Sequence, residues 1–245
     1  MATARPTIPL SGQPSTAGRM AERDQTVWWQ EFVWVGSAGI LGFGVTTIFA
    51  DWLELPRPWL VLVYASLAMP LVGGYLRWAN LDIARLVRHH WPWGVEGAGA
   101  FSAFLIVSVA NQDSSAHPTG LDLVGDILWL GIVYGLVDAL LLSVLPVIAT
   151  WRALTQRGWT AHWPGRIAAG FAAVAASALV AAAYHLGYPE FRGADLGNPI
   201  VGNAIMSIGY VLTQNPITAI ISHIVMHIAA VFQGADTTVQ LPPHY

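Results

Sequence analysis

His223 and His227 lie four residues apart in the apolar run Pro216-Ile-Thr-Ala-Ile-Ile-Ser222-His223-Ile-Val-Met-His227-Ile-Ala-Ala-Val-Phe232. That spacing puts both imidazoles on one face of a helix. Ionisable groups at bilayer depth are costly, so they usually face a bundle interior and mark a site. The plain alternative is a pair of neutral packing histidines. Asp138 is the one carboxylate read as deep in an apolar run, within Gly131-Ile-Val-Tyr134-Gly-Leu-Val-Asp138-Ala-Leu-Leu-Leu-Ser143. A lone buried carboxylate protonates or demands a partner, and Tyr134, one turn earlier, is a candidate neighbour. His185 closes a third run, Ala181-Ala-Ala-Tyr184-His185-Leu186-Gly187. Its simpler reading is a helix C-terminal histidine favoured by the dipole. One carboxylate and three imidazoles could hold a divalent metal through Asp138, His185, His223 and His227, zinc before iron or manganese. Asp138 could instead be a general base acting on water, with imidazoles stabilising an oxyanion. A proton relay is the third chemistry open to these groups.

The elements that must position them are membrane-spanning. The 245-residue chain is 55% hydrophobic and only 10% charged, with a mean hydropathy of +0.52. A soluble domain carries about a quarter charged residues, so the expected class is all-α, a polytopic membrane helical bundle. Apolar runs predict about seven transmembrane helices, over roughly 31–50, 59–79, 95–111, 123–149, 167–187, 199–213 and 216–233. Residues 1–25 read as a flexible cytoplasmic tail without a signal-peptide core, 26–235 as the bundle, and 236–245 as a C-terminal tail. The absence of cysteine excludes disulfides and thiolate chemistry. All eleven basic residues are arginine, which excludes Schiff-base and Ser-Lys mechanisms. A net charge of -3 leaves no nucleic-acid footprint. The bilayer is the expected partner, with a membrane-associated peptide or protein as substrate.

Nine arginines, on the N-terminal tail, after the second span and between the fourth and fifth, fall on one side; only Arg57 and Arg192 fall on the other. This predicts a cytoplasmic N-terminus in a multi-pass cell (plasma or inner) membrane protein. Most of the twelve tryptophans flank the spans as interfacial anchors. Leu81 to His90 reads as a short interfacial helix. The small-residue run from Ala168 predicts a fifth helix inside the bundle. Asn198-Pro199 and Asn215-Pro216 both read as caps followed by a first helical proline. The sixth helix is short, and if it fails to cross, the C-terminus returns to the cytoplasm. At 1.5 Å per residue, His223 and His227 lie roughly 10 and 16 Å from the inner ends, and His185 roughly 27 Å, too high by about 10 Å to meet them between parallel helices.

The order of an acidic residue in one span, a span ending in histidine and a last span with paired polar residues resembles the CPBP family. These are the CAAX-processing and bacteriocin-processing (Abi-type) membrane endopeptidases, whose motifs are EExxxR, FxxxH and HxxxN or HxxxD. The resemblance covers about 120–235. Gly135-Leu-Val-Asp138-Ala139-Leu-Leu-Leu-Ser143 aligns with the first motif, Ala181-Ala-Ala-Tyr184-His185 with the second and His223-Ile-Val-Met-His227 with the third. Ala139 and Ser143 replace the second glutamate and the arginine, Ala181 the phenylalanine, and His227 the final asparagine. The resemblance implies that Asp138 activates water while His185 and His223 orient it or stabilise the oxyanion. The extra basic group at His227 favours a metal.

These readings lead to a divergent intramembrane hydrolase, a metal-assisted or Asp/His-dependent endopeptidase. The alternatives are an inactive protein of the same fold with a metal-binding or scaffolding role, and a proton-coupled transporter. Asn203, Ser207 and Ser222 are read as packing hydrogen bonders, and His117, His162 and His244 carry no assigned role.

Overall fold

In a computed structural model describing residues 28–116, 118–234 and 240–242, the chain is a bundle of eight α-helices with no strand among the described residues. They are α1 (Trp28–Trp52), α2 (Arg57–Trp78), α3 (Ile83–Arg88), α4 (Trp91–Ala110), α5 (Gly120–Gln156), α6 (Trp163–Leu186), α7 (Gly197–Thr213) and α8 (Pro216–Gln233). Six are long and apolar enough to cross a bilayer. The exception among the expected seven is α7, at 17 residues. The expected tails at 1–25 and 236–239 lie outside the described residues, as do His117 and His244.

Large apolar side chains point away from the bundle, with Ile40, Phe171, Leu179 and Leu212 each more than 70% exposed. No aqueous protein leaves so much apolar surface uncovered, and the bilayer accounts for it. Tryptophans gather at helix ends: Trp29, Trp52, Trp59, Trp78, Trp91, Trp93, Trp159 and Trp163 are all exposed there. The six-residue α3 lies exposed between α2 and α4, capped by the Asp82 carboxylate accepting from the Arg85 backbone N–H at 3.2 Å.

The small-residue α6 packs inside the bundle as expected, and the helix at its centre is α5. α5 packs against α1, α2, α6, α7 and α8, and 78% of its most apolar window is buried, against 39% for α6. Small residues let α6 approach its neighbours along Ala169, Ala173, Ser177 and Ala181, while Phe171 and Leu179 face outward. Small size sets how near helices come, and position in the bundle sets how many sides are covered.

α5 can cross the centre because its polar interruptions are satisfied. Pro146 has no N–H for the carbonyl one turn earlier, that of Leu142. The Ser177 hydroxyl on α6 donates to that carbonyl at 2.6 Å, and the Asn203 amide on α7 reaches it at 3.5 Å. Ser143, Asn203, Ser177 and Ser207 then close a network of bonds between 2.7 and 3.2 Å. Asn203 and Ser207 therefore do join helices, as read from the sequence, whereas Ser222, read the same way, has a buried hydroxyl that makes no such bond. A π-helical stretch, Ala139–Val144, precedes the proline, a common adjustment where the helical ladder loses a donor.

The direction of α7 decides the ends of the bundle. Its last turn leads to Asn215, whose amide donates to the Val87 carbonyl at 2.9 Å beside α3. α8 returns, and the Ser115 N–H donates to the Gln233 carbonyl at 3.1 Å. The chain thus leaves α8 at the end opposite to the start of α1. Asn215 caps α8, accepting from the Ile217 N–H at 2.9 Å, with Pro216 in the first turn. The matching expectation for Asn198 fails: α7 begins at Gly197 after Leu196, so Asn198 lies inside the first turn and caps nothing.

Candidate functional site

α5, α6 and α8 bring the sequence candidates to one cavity. Asp138, His185, His223 and His227 all line a cavity of about 740 Å³, with Tyr134, Asn203 and Gln240 among its other walls. It reaches from the middle of α5 to the end of the bundle where α7 begins, at Gly197 and Asn198. Its length resolves the expected depth conflict: His185 need not stand level with Asp138 to share its wall.

Asp138 and His227 form the tightest pair. Oδ2 and Nε2 are 3.3 Å apart, and both side chains are almost wholly buried. The approach depends on two glycines of α5. A Cβ at Gly131 would lie 2.7 Å from Ile228 Cγ1, and one at Gly135 would lie 2.9 Å from Ile224 Cα and 3.0 Å from His227 Cδ2. Gly131-x-x-x-Gly135 is thus a close-approach face of the kind that lets membrane helices touch. The sequence carried this signal, and it was not read as part of the site.

The pair is close without being satisfied. Asp138 Oδ1 and both ring nitrogens of His227 are buried with no hydrogen-bond partner. Native interiors pair nearly all such atoms, so a cluster of three points to a place where chemistry or a ligand supplies the partner. Tyr134 lies beside the carboxylate, as its place one turn earlier suggests: its hydroxyl interacts with Asp138 and pairs with that of Tyr184 at 2.8 Å, while its ring packs edge-on to His227 at 4.7 Å. Tyr184 in turn pairs with Tyr188 at 2.9 Å. Tyr64, whose ring lies 5.2 Å from that of Tyr184, brings a second buried hydroxyl to Asp138. This tyrosine wall, drawn from α2, α5 and α6 and the turn after it, was missed because its members are far apart in the chain.

His185 and His223 are held alike. Nδ1 of each bonds the backbone carbonyl four residues earlier, Ala181 at 2.8 Å and Ala219 at 3.0 Å. A carbonyl only accepts, so Nδ1 carries the proton and Nε2 of the neutral ring presents a lone pair. Donor chemistry of this kind suits a metal ligand. The spacing does not suit it: among the described residues no group of three or more such side chains stands ready to hold one ion.

Glu31 is a second buried carboxylate, at the end of a span and not deep within one. It is fully buried in the first turn of α1, accepting from Tyr75 Oη at 2.9 Å and pairing with Arg152 Nε at 2.9 Å. This cluster joins α1, α2 and α5 at the other end of the bundle and belongs to its architecture. His162 starts α6 away from the cavity.

Against protein-family models, curated proteins and solved structures, the chain has no match. The functional reading therefore stands on the cavity and its residues.

Proposed function

We propose that the protein is an intramembrane hydrolase, an endopeptidase in which Asp138 activates the attacking water. The observation that supports this most is the unsatisfied Asp138–His227 pair on a cavity shared with two imidazoles of fixed tautomer. Asp138 takes a proton as the water oxygen bonds to the scissile carbonyl carbon, and that proton passes to the amine nitrogen as the C–N bond breaks. His227 Nε2, 3.3 Å away, orients that carboxylate. His185 and His223, with Nδ1–H locked on backbone carbonyls, present an Nε2 lone pair that accepts a hydrogen bond from the water and orients it. The resemblance of the three segments to CPBP endopeptidase motifs agrees with these roles. Zinc is a second way to activate the water, favoured by the Nδ1–carbonyl locks; because the four groups are not spaced as ligands of one ion, no step above depends on it. Metal content of the purified protein separates the two.

The arginine distribution supports a cell-membrane protein with its N-terminus in the cytoplasm. The cavity then reaches the outer face, so the substrate would be a segment of a membrane-associated protein approaching from that side. Comparing new protein N-termini in membranes holding the parent or Asp138→Asn tests the function. Cleavage products that depend on Asp138 are expected; identical N-termini in both samples would refute it. The Tyr134–Tyr184–Tyr188 hydroxyl chain favours a second reading, a proton path serving a transporter. Proton uptake into liposomes carrying the protein, lost in Tyr184→Phe, would establish that instead.

A further inference from the structure

The short C-terminal segment 240–242 is buried against the end of the cavity, not solvated as a chain end would be by default. Leu241 is 2% exposed and Gln240 8%. Gln240 forms part of the cavity wall, and its Oε1 is buried there with no hydrogen-bond partner. The Pro242 carbonyl accepts from Arg57 Nε. Arg57 is itself 5% exposed and opens α2, where the helix dipole disfavours a cation. An arginine buried at the wrong end of a helix is costly unless it serves an acceptor, and here it serves a peptide carbonyl.

We infer that this end of the cavity is a polypeptide-binding subsite in which Arg57 anchors a backbone carbonyl, and that the chain's own residues 240–242 occupy it in cis. An apolar side chain is accommodated beside the anchor, as Leu241 is, and a residue such as Gln240 reaches the cavity itself. The substrate class rests on the hydrolase reading, and the subsite would deepen it: a protein segment enters past Arg57 and displaces the tail.

The chain has no cysteine, so a single introduced thiol reports cleanly. Met226, between His223 and His227 on the cavity wall, is changed to cysteine in the full chain and labelled with a water-soluble maleimide. Leu241→Asp and, separately, Arg57→Gln are each expected to speed labelling about tenfold, the factor carried by one hydrogen bond to a charged group. A synthetic hexapeptide of residues 240–245 is then expected to slow it again in Leu241→Asp, where Arg57 remains, and to act far less in Arg57→Gln. An Ala38→Cys reporter, fully buried between helices, must stay protected in the same backgrounds; should Leu241→Asp expose it, the Arg57→Gln result decides. Unchanged labelling in both variants, or a peptide without effect in Leu241→Asp, would overturn the subsite. Labelling needs no turnover, so a failed cleavage assay with intact peptide protection would remove the hydrolase and leave the subsite standing.

Discussion

Asp138 Oδ2 stands 3.3 Å from His227 Nε2, and yet neither His227 nitrogen nor Asp138 Oδ1 makes a hydrogen bond. Two titratable side chains on neighbouring helices are brought together and left with capacity to spare. Such spare capacity beside a cavity is what a reacting pair needs.

The first consequence concerns these residues directly. Asp138→Asn and His223→Ala are each expected to lower cleavage by about a hundredfold or more, the usual yield of a positioned acid or base. The thermal midpoint in detergent should stay near that of the parent. Full turnover in either variant would remove that residue from the site.

Gly135 sets the distance between α5 and α8. Gly135→Ala puts a methyl 2.9 Å from Ile224 Cα and 3.0 Å from His227 Cδ2, so the helices must part. A loss of about 1–3 kcal/mol is expected from overpacking, together with a drop in activity. Gly99 is a suitable control, because a methyl there meets nothing within 4 Å.

The Leu142 carbonyl ties Ser177 to Pro146. Ser177→Ala removes its 2.6 Å donor and should cost about 1–3 kcal/mol, the price of an unpaired buried group. In a Pro146→Ala background the restored N–H can bond that carbonyl, so the same change should cost clearly less. A double-mutant cycle on unfolding free energy reads the coupling; strict additivity would mean the proline is irrelevant to the network.

At the opposite end, Glu31 and Arg152 should respond unequally. Arg152 is a third exposed and Glu31 not at all. Arg152→Met leaves a buried carboxylate with Tyr75 as its remaining partner, whereas Glu31→Gln leaves an arginine that can turn to the interface. Arg152→Met is therefore expected to lower the melting temperature more, and the reverse order would contradict this account of the cluster.

Much of this was legible along the chain. Apolar runs long enough to cross a bilayer, tryptophans at their ends and polar residues at helical spacing are local properties, and His223 and His227 share a face for the same reason. What local spacing could not decide was which helix lies at the centre, because burial depends on how many neighbours surround a helix. Tertiary packing made α5 that helix and turned Gly131 and Gly135 into the contact that brings His227 to Asp138. It also put His185 on their cavity, where the sequence estimate for parallel helices had held it too high. The tyrosine wall, the Leu142 carbonyl network and the seat of Pro242 against Arg57 belong to it as well, for each joins residues that only the packed bundle makes neighbours.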